Sequence, residues 1–179
     1  VGTLDPSLPL DSGVADACEF TLPDGSIVNP TRPAPVNNYS KGMCVVMHLA
    51  LRSLAEFSPE GAVAETGGKM SIAVGRTASE GESGTVHYEI IGSGYGGHAT
   101  EDGASCMASS YESNAEFASV EIIETEYEDR VKAFSLQKDS AGPGEHRGGV
   151  GFVREYEAEA PLQFAYRGSN HEVQSRGVR

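Results

Sequence analysis

Apolar positions recur along this chain with two different periods, which divide it into one helix and several strands. Met43, Val46, Met47, Ala50, Leu51 and Leu54 fall on a 3.6-residue repeat within residues 42–57, while Cys44, His48, Arg52 and Glu56 share another face. This predicts an amphipathic helix with the methionines in a core, closed by Ser58-Pro59. Further on the period drops to two. Met70, Ile72 and Val74 alternate with Ser71, Ala73 and Gly75, predicting a strand with one buried face. Val86, Tyr88 and Ile90 line one side of a second strand over 85–91, and the polar loop between the two, residues 75–84, predicts an antiparallel pair. Lys132, Phe134 and Leu136 mark another strand, as do Leu162, Phe164 and Tyr166. A short strand is also predicted at 17–22, ended by the turn Pro23-Asp24-Gly25, and the prolines of 29–38 make that segment an extended wrap. Together these elements predict an α+β domain, mainly antiparallel strands with one well-defined amphipathic helix.

Composition narrows the partners. A formal charge of −13 and a sequence pI of about 4.7 give no electrostatic basis for binding the phosphates of nucleic acid or an acidic membrane surface. No apolar run approaches a membrane span, and the start V-G-T-L-D-P lacks the layout of a signal peptide, so a soluble, cytoplasmic protein is expected. Cys18, Cys44 and Cys106 show no paired spacing, which argues against a zinc ribbon or disulfide framework. Cys44 and His48, four residues apart, have no visible third metal ligand. With 179 residues, no initial Met and an end at S-R-G-V-R, the chain reads as a single domain or a fragment of a larger subunit.

Two glycine-rich segments carry the candidate chemistry. Gly92, Gly94 and Gly97 formally spell G-x-G-x-x-G after a strand, but H-A-T-E-D-G-A-S follows without an apolar stripe. The helix that a dinucleotide fingerprint requires is therefore not expected. The loop instead presents His98, Glu101 and Asp102, residue types that move protons or bind metals. The second segment, D-S-A-G-P-G-E-H-R-G-G-V-G-F-V-R from Asp139 to Arg154, holds five glycines beside Asp139, Glu145, His146 and Arg147. Arg147 is expected to clamp a carboxylate from Asp139, Glu121 or Glu124.

P-D-G-S-I-V-N-P-x-x-P-A-P-V-N from Pro23, G-G-H-A-x-x-D-G from Gly96, V-E-I-I-E from Val120 and D-S-A-G-P-G-E-H-R-G-G-V-G from Asp139 together resemble the hydantoinase B/oxoprolinase family. The resemblance covers nearly the whole chain and implies part of a B-type subunit of an N-methylhydantoinase, oxoprolinase or ATP-dependent ketone carboxylase. It implies an ATP-binding A-type partner subunit with ATP and Mg on that partner, the remaining portion of the B-type subunit as a further partner, and activation of an amide or enolised ketone by phosphorylation. The family's metal-binding His and Asp motifs belong to its earlier portion, so a divalent metal would lie outside this segment and the metal here is unknown. His98 and Asp102 are the catalytic candidates. Gly96, Gly97, Asp139, Ser140 and Arg147 are expected in loops facing substrate or partner. The alternative is a noncatalytic scaffold that docks partner subunits.

Overall fold

A computed structural model describes residues 7–9, 11, 13–16, 19–36, 39–68, 70–76, 83–107, 116–127, 129–170 and 172–178. The chain divides into two compact units, Val1–Val63 and Ala64–Arg179.

The first unit holds a short helix α1 (Gly13–Asp16), the long helix α2 (Tyr39–Ala55) and a 3-10 turn (Pro59–Gly61) packed against α2. Residues 19–22 form no strand, and the remainder of that expected element lies outside the described residues. The turn at Asp24-Gly25 is present, with Gly25 at φ 74. Helix α2 confirms the predicted helix but not its buried face: Cys44 and Ala55 are buried, whereas Met43, Val46 and Met47 are 41–44% exposed. The 3-10 turn is too small to cover the methionine stripe, so the stripe does not form the core expected for it.

The second unit is built on an antiparallel sheet of order β2-β1-β5, from β1 (Met70–Arg76), β2 (Thr85–Ile91) and β5 (Gln163–Gly168). The predicted pairing of the first two strands is observed, with Ile72 opposite Glu89 and Val74 opposite His87. Against this sheet lies the hairpin β3 (Asp129–Leu136) with β4 (Phe152–Ala158), whose register shifts between Val131 and Ala133. Ile72, Val74 and Ile91 form the core, and Phe152 and Tyr156 of β4 and Leu162, just before β5, pack on it. Phe117, Phe134 and Phe152 add three edge-to-face contacts, centroids 4.8–5.6 Å apart.

Two features depart from the periodic pattern. Val120–Glu126 is a helix, α3, started by Ser119, whose Oγ accepts the Ile122 N–H at 3.3 Å, and anchored by fully buried Ile123. Strand β2 is turned over. His87 and Glu89 are 3% and 5% exposed, while Val86 and Tyr88 are 67% and 57% exposed. Burying a histidine and a carboxylate is tolerable only where partners replace water. For Glu89 the hairpin supplies them: Arg154 Nη2 meets Glu89 Oε1 at 3.0 Å, and Tyr156 donates its hydroxyl to Glu89 Oε2.

Candidate functional site

Both glycine segments start from strand ends in this second unit. Strand β2 runs directly into Gly92, and β4 begins directly after Gly151, so the packing of sheet on hairpin brings the segments together. They join peptide to peptide. Tyr95 N–H donates to Ala104 O at 2.9 Å, Gly149 N–H to Tyr95 O at 2.8 Å, Gly103 N–H to Arg147 O at 2.8 Å and Cys106 N–H to Val150 O at 2.9 Å. A third strip is added as Gly67 N–H donates to Gly94 O at 3.0 Å and Ala64 N–H to Gly97 O at 2.9 Å.

This stack of backbones explains the glycine content. A Cβ on Gly94 would collide with the carbonyl of Gly149, and one on Gly97 would sit 2.6 Å from His146 O. Close approach, rather than a left-handed backbone, is what requires glycine at these two positions. No helix starts between residues 92 and 107, all of them described, where a dinucleotide fingerprint would need one.

Polar side chains collect at the edge of the stack. Asp102 Oδ1 accepts the backbone N–H of Arg147 at 2.7 Å and stands 3.9 Å from His146 Nδ1. Asp102 Oδ2 has no protein partner among the described residues. His98 is half-buried and holds its loop through its N–H to Glu101 O at 2.9 Å, while its ring meets no protein partner among the described residues. The Arg147 guanidinium is exposed, and none of the described carboxylates pairs with it. The expected clamp is not formed: Asp139 occupies an exposed turn at φ 58, and Glu124 instead accepts the Val131 N–H at 3.0 Å.

The remaining sequence candidates have structural partners. Ser140 Oγ accepts the Gly151 N–H at 2.9 Å and donates to Gln137 O at 2.8 Å, which shapes the turn before β4. Gly96 is buried against the backbone of Ala64, and Gly97 faces His146. His146, which the sequence names among the polar residues of the second segment without giving it a role, comes to stand beside Asp102; its position between Gly144 and Gly148-Gly149 in a segment rich in charge is the signal that points to it. Cys106 has φ 53, and burial pushes its thiol up from the ordinary value, leaving it a poor nucleophile. Among the described residues no three metal-ligating side chains converge. No described helix is long and apolar enough to cross a membrane.

The model of the family described as hydantoinase B/oxoprolinase matches residues 2–179. A protein of Pseudomonas sp. (strain NS671), named as the B-type component of a D-/L-hydantoinase, is 28% identical over 92% of this chain and 27% of its own length. An uncharacterised protein of Methanocaldococcus jannaschii is 32% identical over 86% of this chain and 26% of its own length. The 5-oxoprolinase of Dictyostelium discoideum is 29% identical over 96% of this chain and 13% of its own. Among solved structures, nucleotide-free acetone carboxylase shares the fold, with a TM-score of 0.75 at 22% identity over 98% of this chain and 24% of that one. The chain thus spans about a quarter or less of the length of these relatives. By the family model and the joined glycine segments that carry its motifs, the chain belongs to the hydantoinase B/oxoprolinase family.

Proposed function

We propose that this chain is a segment of a B-type subunit of an enzyme that opens a cyclic amide, working beside an ATP-binding partner subunit that holds ATP and Mg. The supporting observation is the glycine stack, which joins the loop of His98 and Asp102 to the segment of Arg147 through the Asp102 Oδ1 bond to the Arg147 N–H at 2.7 Å, while the His98 ring and the Arg147 guanidinium have no protein partner among the described residues. Relatives named as a hydantoinase component and as 5-oxoprolinase support the substrate class. In such a reaction the amide oxygen takes the γ-phosphoryl group of ATP and ADP leaves, water adds to the carbonyl carbon, the C–N bond breaks to give an acyl phosphate, and a second water molecule hydrolyses that acyl phosphate to carboxylate and phosphate. The ring nitrogen gains the proton that the water loses. His98 is suited to carry that proton, and Arg147 to hold the phosphoryl or carboxylate oxygens with its planar fork.

A second reading, ATP-dependent carboxylation of a ketone, is favoured by the acetone carboxylase fold. Both are tested on the family-length subunit assembled with its ATP-binding partner. ADP release is followed with hydantoin, with 5-oxoproline, and with acetone plus bicarbonate. Release that requires a cyclic amide and falls about 100-fold in His98→Ala supports the proposal. Release that requires acetone and bicarbonate replaces it with the second reading. Full turnover in both His98→Ala and Arg147→Ala leaves this segment a scaffold.

A further inference from the structure

Between the sheet and the hairpin lies a charged cluster that the glycine-edge site does not use. Arg76 comes from β1, His87 and Glu89 from β2, Tyr127 from the end of α3, Asp129 from β3, and Arg154 and Tyr156 from β4. Two of its cations meet two anions: Arg76 Nη2 lies 2.9 Å from Asp129 Oδ1, and Arg154 Nη2 lies 3.0 Å from Glu89 Oε1. His87 stands among them, its ring stacked on Tyr127 with centroids 4.6 Å apart and edge-on to Tyr156 at 5.8 Å. It is 3% exposed, and neither ring nitrogen has a hydrogen-bond partner among the described residues. Nδ1 lies 4.0 Å from Asp129 Oδ2, too far for a hydrogen bond.

An apolar ring of the same shape would fill this place without leaving a donor and an acceptor unmet. What distinguishes histidine here is that its charge changes near neutral pH. We propose that His87 is a protonation switch that loosens the frame of the glycine stack in acid. The cluster has two discrete arrangements. Neutral His87 sits unbonded in a balanced set of charges; protonated, it adds an uncompensated cation and competes with Arg76 for Asp129, or leaves for water by parting β2 from β4. Those strands lead directly into Gly92 and out of Gly151, so parting them separates the two glycine segments. The switch depends on this packing alone and operates whatever the substrate.

The direction follows from burial. Desolvation is the largest influence and holds His87 below the ordinary value of 6.5; Glu89 and Asp129 oppose it, and Arg154 adds to it. Well above pH 6.5 both the folded and the opened form are neutral at this ring. Below it the opened form takes the proton first, so stability is lost as pH falls from 6.5 toward the folded value. One proton changes the opening equilibrium by up to about tenfold per pH unit.

The test combines an NMR titration of His87 in the whole chain with amide exchange at Gly103 and Gly149, corrected for intrinsic rates, at two pH values spanning the His87 titration. Wild type is compared with His87→Gln and His87→Phe. The expected result is titration below 6.5, with protection at both amides falling in wild type by up to about tenfold per pH unit more than in the variants. Titration at or above 6.5 overturns the proposal, and needs no variant to fold. Equal loss of protection in wild type and in whichever variant folds also overturns it.

Discussion

Asp102 Oδ1 accepts the backbone N–H of Arg147 at 2.7 Å, joining two loops separated by 45 residues of chain. Because the acceptor is a carboxylate, this bond is stronger than one between neutral groups. Asp102→Ala removes it and is expected to cost about 1–3 kcal/mol, read by urea unfolding. Asp102→Asn keeps an acceptor oxygen and should cost less. If Asp102 also moves a proton, Asp102→Asn in the assembled enzyme loses turnover by about 100-fold while keeping most of its stability.

The position at which a Cβ on Gly94 would meet the Gly149 carbonyl gives a second prediction. Gly149 cannot withdraw without losing its 2.8 Å bond to Tyr95 O. Gly94→Ala should therefore destabilise by more than about 4 kcal/mol and abolish cooperative melting by circular dichroism. Gly142, in the other glycine segment, has open space where its Cβ would go. Gly142→Ala should stay within about 0.5 kcal/mol of wild type, which separates close approach from glycine content as the cause.

Glu89 and Arg154 form a buried pair with side chains 5% and 2% exposed. Glu89→Gln leaves the Arg154 charge buried without its counter-ion, and a loss of about 3–5 kcal/mol is expected in urea unfolding. Tyr156→Phe removes the hydroxyl that donates to Glu89 and accepts from Arg154 Nε at 3.1 Å, leaves the ion pair in place, and should cost about 1–3 kcal/mol. Burial first, and then the Glu89 bond, push the Tyr156 hydroxyl far above its ordinary value, so it remains a donor throughout any practical pH range.

The Arg147 guanidinium is exposed and pairs with no described carboxylate. Arg147→Lys should accordingly leave stability within about 0.5 kcal/mol of wild type, since the loop is held by the backbone of Arg147. In the assembled enzyme the same change should raise KM, because lysine cannot reproduce two parallel N–H bonds. A fall in melting temperature with unchanged KM would instead restore a structural clamp for this side chain.

Much of this architecture is legible in the sequence wherever a period meets a conventional core. Met70, Ile72 and Val74 predict β1, and the two glycine segments are recognisable as places where the backbone does something a Cβ would obstruct. Strand β2 shows the limit. Its alternation fixes the phase but not which face is buried, and V-H-Y-E-I-I invites Val86 and Tyr88 inward. Glu89 goes inward because Arg154, 65 residues further along, awaits it there, and no local pattern contains that partner. Helix α3 is seven residues long, too short for a 3.6-residue period to declare itself. His146 belongs beside Asp102 only once the loops have met, which is knowledge of topology rather than of spacing.

The interlocked glycine segments also bear on how this protein is dissected. Glycine-rich stretches are the customary places to cut a chain, because they read as linkers between rigid bodies. Here the opposite holds. Residues 92–107 and 137–151 lean on each other through their peptide groups, so a truncation or tag inserted in either would break the frame rather than free a domain. A boundary chosen for expression belongs before Ala64, where the compact units divide.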